Sequence, residues 1–231
     1  MKRLIAAGRR PVLAVDADPN TCLDAMLGVK IRQTVGGVRE EARQIAGKGL
    51  AAGISKQDLL TLKITESLVE AEDFDYLAMG RPEGPGCYCY ANNVLKSALE
   101  SLANHYPYVV IDNEAGLENL SRRLVRKVDL LMLVSDPSLR GLETLRRLHA
   151  LAREMDVAFD RLALVVNRLR QASLPAEIEA IRSETGAHGV WGFPDYAAVA
   201  ENAERGGTVN DLAADNPLVQ KMDEMVRALV P

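Results

Sequence analysis

The chain has 231 residues, of which 48% are hydrophobic and 26% charged, and carries a formal charge of −4. That content is enough for one large core and lacks the basic surplus that a phosphate backbone demands, which argues against nucleic acid as a partner. No apolar run reaches the roughly 18 residues needed to span a bilayer, MKRLIAAGRR is too short in apolar residues for a secretory signal, and three cysteines argue against a disulfide framework, so a cytoplasmic protein is expected.

Lys2 to Arg10 reads as a helix end, with Gly8 and two arginines where glycine and cations suit a C-terminus. Short apolar runs follow as strands: Val12 to Val15, Tyr108 to Ile111, Leu130 to Val134 and Leu162 to Val166. Their continuous rather than alternating apolarity is that of parallel strands covered on both faces. Helical stretches separate them, at Asn92 to Asn104, Leu117 to Lys127, Gly141 to Met155 and Ala176 to Thr185. The alternation predicts a doubly wound α/β fold, a mostly parallel sheet with helices on both faces, in one domain over 1–231. Val29 to Glu72 carries several glycines and reads as a mobile or partner-facing insertion. Two further helices, Tyr196 to Arg205 and Asn216 to Leu229, are expected to cover the sheet, with Thr208 as a capping residue between them.

Ligands of open α/β sheets bind at the C-terminal strand edge, and the residues with chemistry gather there. Asp16 and Asp18 end the first strand before Pro19 turns the chain. They read as a pair with distinct jobs, one in a Mg²⁺ shell and one reaching a water, or else as turn and cap aspartates. Asp112 ends the run VVID as a carboxylate placed to hold Mg²⁺, and Gly116 can bring its N–H close to a terminal phosphate. An aspartate after four apolar residues also arises by chance or as a cap. Asn167 closes LALVVN, where its amide can read a base through paired donor and acceptor, and Pro194 and Asp195 form a second loop of this kind. Each is equally a turn former.

Cys87 and Cys89 lie in GPGCYCYANN, a glycine- and proline-rich loop before a helix. Two thiolates do not complete the tetrahedral site of Zn²⁺ or another thiophilic metal, whereas two copies of the chain bring four. The alternative is a pair of ordinary small residues in a tight loop. Cys22 reads as a core residue, and the three histidines show no ligand spacing. A nucleotide fold with these strand ends should open on a phosphate cradle of the form GxxxxGK[ST], and no such segment occurs in the 231 residues.

Taken together, VDADPN at 15–20, GPGCYCYANNVL at 84–95, DNEAGLENLSRR at 112–123, VVNR at 165–168 and GFPD at 192–195 resemble the CooC-type accessory ATPases, which help insert nickel into carbon monoxide dehydrogenase. These belong with the MinD and nitrogenase iron protein group of dimeric P-loop ATPases. The resemblance runs from about residue 2 to the end. It implies ATP or ADP with Mg²⁺ as cofactor, a homodimer joined through Ni²⁺ or Zn²⁺ on Cys87 and Cys89, and carbon monoxide dehydrogenase as client. It implies further that Asp18 orients or activates the attacking water, that Asp16 and Asp112 serve the Mg²⁺ site, and that Gly116 approaches the terminal phosphate. Asn167 matches the adenine-reading asparagine, with Arg168 beside it and Pro194 against the base.

The resemblance also implies a first strand and a KGGxGK[ST] loop ahead of residue 1, and hence a chain truncated at its N-terminus. Without that loop the phosphates lose their backbone cradle and lysine, so this chain as given is expected not to hydrolyse ATP. The strand's neighbours are expected either to expose ladder groups or to close on each other. A non-enzymatic nickel- or zinc-binding dimerisation module and an inactive, misfolded fragment are the alternatives.

Overall fold

A computed structural model of the chain describes residues 1–48, 55–81, 88–116, 124–171, 173–208 and 211–230. They form two compact units, Met1–Ala115 and Gly116–Pro231. The first unit opens with α1 (Lys2–Ala6), β1 (Val12–Asp16) and α2 (Leu23–Leu27). It continues through α3 (Val35–Lys48), α4 (Lys56–Glu66), β2 (Val69–Glu70), β3 (Phe74–Ala78), α5 (Tyr88–Leu102) and β4 (Tyr108–Asp112). Its sheet has the order β2-β3-β1-β4, parallel except for the β2–β3 pairing.

All five residues of β1 are buried, as expected of an inner parallel strand. Val12 and Ala14 pack with Phe74, Tyr76 and Ala78 of β3 beneath Ile5 of α1 and Leu23 and Leu27 of α2. The pairing continues past the strand ends, where the Met79 amide donates to the Asp16 carbonyl and the Ala17 amide to that of Asp112, both at 2.8 Å. Gly80 then turns the chain at φ +64°, and a Cβ there would stand 2.3 Å from Thr34. Only glycine combines that left-handed backbone with so close an approach.

The second unit comprises β5 (Lys127–Ser135), α6 (Leu139–Glu154), β6 (Ala158–Leu169), α7 (Ile178–Thr185), β7 (Gly189–Pro194), α8 (Ala197–Glu204) and α9 (Pro217–Leu229). Its strands lie in the order β5-β6-β7, all parallel. The central strand β6 is apolar on both faces. Leu162, Leu164 and Val166 pack with Leu142 and Leu145 of α6 and Ile178 and Ile181 of α7. Ala163 and Val165 face the other way, toward Phe193 and toward Met225 and Leu229 of α9. Local chemistry starts and stops these helices: the Ser138 hydroxyl caps α6, Gly186 ends α7 in the left-handed region, and Asn216 caps α9 ahead of Pro217.

The mostly parallel α/β architecture is the expected one. Val29 to Glu72, read as a mobile or partner-facing insertion, includes α3, α4 and β2 among its described residues. Ser55 and Asp58 form a capping box at the start of α4, a stop-and-start signal that a count of glycines overlooks. The predicted helix at Leu117 to Lys127 falls mostly on 117–123, outside the described residues, and Lys127 opens β5. Among the described residues β4 is an end strand of one sheet and β5 of the other. Met132 and Val134 of β5 are 38% and 52% exposed.

Candidate functional site

The C-terminal edge of the first sheet carries the carboxylates. β1 and β4 run in parallel register with Asp16 opposite Asp112, so their pairing alone sets these two residues side by side. Asp18 follows two residues later in the turn leading to α2. The three differ sharply in setting.

Asp16 is 2% exposed, and both of its oxygens are engaged inside the protein. Oδ1 accepts from the Asp18 amide at 3.0 Å, while Oδ2 accepts from the Leu23 amide at 3.0 Å and the Tyr76 hydroxyl at 3.1 Å. The Tyr76 phenol is pushed above its ordinary range by burial first and by the Asp16 charge second, so it stays a donor at any physiological pH. Asp18 uses one oxygen only: Oδ1 accepts from the backbone amide of Asn20 at 2.7 Å and from its side-chain amide at 3.0 Å. Asn20 is held in turn by the Arg81 guanidinium. Asp18 Oδ2 takes no hydrogen bond among the described residues and is open to a ligand.

Asp112 is held above the usual carboxylate range, by desolvation first and then by repulsion from Asp16 and Asp18. It keeps solvent contact, so water screens part of both effects. A carboxyl raised in the folded state binds more protons there than in the unfolded chain, so stability falls as pH rises through the carboxylate range. Asp112→Asn should therefore raise the melting temperature at pH 7, and the gain should vanish below about pH 3, where both states carry the proton. Equal melting curves at pH 7 would show that neither desolvation nor the neighbouring carboxylates disfavour the Asp112 charge. In the following loop the buried Glu114 Oε2 has no hydrogen-bond partner among the described residues.

This donor set fits Mg²⁺ in kind, since every group offers a hard oxygen. No described cluster of three His, Cys, Asp or Glu side chains is placed to hold a metal ion directly. Mg²⁺ keeps several waters and takes only one or two carboxylates beside phosphate oxygens, so Asp18 and Asp112 suit it. Asp16, expected in the Mg²⁺ shell, has both oxygens turned to protein donors.

The predicted base-reading residues gather at the corresponding edge of the second sheet. Asn167 and Arg168 are exposed near the end of β6 and Pro194 ends β7, with Leu169 opposite Pro194 and the Asp195 amide donating to the Leu169 carbonyl. The register shifts between Val166 and Leu169, and Arg168 sits at φ +58°. Asn167 turns its Oδ1 back to the Arg168 amide at 2.9 Å, which leaves its NH₂ to contact a ligand. Gly116 lies at φ +103° with open space where a Cβ would stand. Cys87 lies outside the described residues, and Cys89 is placed only by the backbone of α5. Cys22, read as a core residue, is exposed at the start of α2.

Sequence reasoning missed Tyr76 and with it all of β3. The run FDYLAMG before Gly80 carries the signal, a short apolar stretch closed by a turn glycine. It also missed β7, because GVWGFP reads as a loop, although Gly192 is small where Leu169 and Leu174 press on the strand.

No family model matches the chain. It is 39% identical over 220 residues to Uncharacterized ATP-binding protein MJ0685 of Methanocaldococcus jannaschii, a match covering 95% of this chain and 87% of that protein. It is 25% identical over 208 residues to the carbon monoxide dehydrogenase accessory protein CooC of Rhodospirillum rubrum, covering 85% of this chain and 76% of CooC. Among solved structures, the septum site-determining protein MinD of Pyrococcus horikoshii, complexed with Mg-ADP, superposes with a TM-score of 0.64 at 19% identity, covering 97% of this chain and 86% of MinD. The extent and identity of the first match lead to one assignment: the chain belongs to the same family as the ATP-binding protein MJ0685, and its mostly parallel α/β fold is the fold of the MinD structure.

Proposed function

We propose that the chain acts in an ATP-dependent maturation factor that delivers nickel to carbon monoxide dehydrogenase as a nucleotide-controlled homodimer. The observation that carries the nucleotide part is the pairing of Asp16 with Asp112 at the strand edge, with Asp18 beyond them holding one carboxylate oxygen open. Asp18 would orient the attacking water, and Asp112 would hold Mg²⁺ through water. Bound Mg²⁺ supplies neutralisation of the charge that develops on the phosphates. Asn167, Arg168 and Pro194 would receive the base, and Gly116 would approach the terminal phosphate. The accessory protein among the relatives supports the client, and Cys87 with Cys89 would bind nickel or zinc between two chains.

A second reading is a metal-binding dimerisation module that works without nucleotide. It is favoured by the lack of a GxxxxGK[ST] segment in these 231 residues, since the carboxylates alone do not cradle phosphates.

The two readings part in a nickel titration with and without Mg·ATP, under reducing, anaerobic conditions with sedimentation to follow dimerisation. The ATP-dependent reading expects Mg·ATP to change the nickel affinity, and nickel to change the ATP affinity by the same factor. Nickel binding indifferent to Mg·ATP overturns it in favour of the metal module. Nickel binding that persists in the chain carrying both Cys87→Ala and Cys89→Ala overturns the metal site in both.

A further inference from the structure

The turn that presents Asp18 has a buried anchor on a neighbouring strand. Ala14 of β1 lies opposite Tyr76 of β3, and Asp16 opposite Ala78. Asp16 shares a face with Ala14, one residue pair along, so the Tyr76 ring lies beside Ala14 with its hydroxyl directed to the Asp16 carboxylate. Tyr76 is 1% exposed. A phenylalanine would fill nearly the same space, so what the hydroxyl adds is its 3.1 Å bond to Asp16 Oδ2 and the hydrogen bond it accepts from the Asp24 backbone at the start of α2.

That bond reaches the chemistry through the backbone. The Asp16 carboxylate accepts the amides of Asp18 and Leu23, the two residues between which the chain turns through Pro19 and Asn20. Three donors satisfy a carboxylate and fix its orientation. They leave it little capacity for a cation or a water, whereas Asp18 has an oxygen to spare. We infer that Tyr76 is a positioning residue, which locks Asp16 and through it the 16–23 turn that aims the open oxygen of Asp18 at the reacting water.

The lock stands on geometry alone, while the reacting water rests on the ATP-dependent reading. The test therefore has two readouts. Amide hydrogen exchange of the full chain is measured by NMR for the wild type, Tyr76→Phe, Asp16→Asn and the double variant. Tyr76→Phe should speed exchange at Asp18 and Leu23 about tenfold, the worth of one such hydrogen bond, and leave the amides of β6 at wild-type rates. The double variant should be no faster at those two amides than Asp16→Asn alone, because both substitutions break the same lock. Unchanged exchange at Asp18 and Leu23 in Tyr76→Phe overturns the inference, as does an equal rise across the whole chain, which would mark a general loss of stability.

The second readout is steady-state ATP turnover, which belongs to the ATP-dependent reading: where the wild-type chain turns over ATP, Tyr76→Phe should lower kcat with KM within about twofold, since uniform binding is untouched. Wild-type kcat in Tyr76→Phe overturns the positioning role. A wild-type chain that does not turn over ATP, with exchange still perturbed at Asp18 and Leu23, keeps the lock, overturns its catalytic purpose and sends the fault to the ATP-dependent reading.

Discussion

Replacing Asp16 with alanine should destabilise the chain by about 3–5 kcal/mol, a loss in melting temperature of roughly 10 °C. The substitution removes the acceptor of the Tyr76 hydroxyl and of the Asp18 and Leu23 amides. Each buried donor left without an acceptor costs about 1–3 kcal/mol, more than the bond itself contributed. Water entering the small space left by the carboxylate would recover part of that. Asp16→Asn should cost less, because its amide keeps one accepting oxygen. Adding Tyr76→Phe to Asp16→Ala should restore some stability by removing one orphaned donor, so the double variant should exceed the alanine single in melting temperature. A melting temperature within about 2 °C of wild type for Asp16→Ala would mean that the carboxylate is not buried against these donors.

In the second unit the largest effect belongs to Leu145→Ala, at about 2–5 kcal/mol. Leu145 of α6 is fully buried, in a cluster with Leu142, Leu162, Leu164 and Ile181. Truncation loses transfer energy and opens a cavity that a helix pinned by Ser138 on one side and packed on β6 on the other closes only in part. The chain's one tryptophan, Trp191, stands on β7 against the other face of the same strand, so its fluorescence reports this unit directly. Leu145→Ala should lower the midpoint of that signal by roughly 6–15 °C. A shift below about 3 °C would place α6 elsewhere than on β6.

These two positions were legible in the sequence to different degrees. Leu145 sits in the helical stretch expected at Gly141 to Met155, and Val12 to Val15 and Leu162 to Val166 are continuous apolar runs that have little choice but to be inner strands. The helical stretches expected at Ala176 to Thr185 and Asn216 to Leu229 likewise fall within two residues of α7 and α9. β3 and β7 were hidden because Asp75 interrupts one and glycines the other, and their burial depends on parallel partners far along the chain. The inward turn of Asp16 was hidden for the same reason. Asp16 and Asp18 both read as ligand-facing carboxylates, one in a Mg²⁺ shell and one reaching a water. What turns one inward is a phenol 60 residues away, a partner that no local pattern names. The cysteine pair is the reverse case: its sequence signal is sharp, and its geometry lies outside the described residues.

The end position of β5 has a practical consequence. Among the described residues no strand pairs with the outer side of β5, where Met132 and Val134 are exposed, and an edge of that kind is a template on which another strand can stack. A charge introduced at position 134 is the change expected to weaken stacking along that edge.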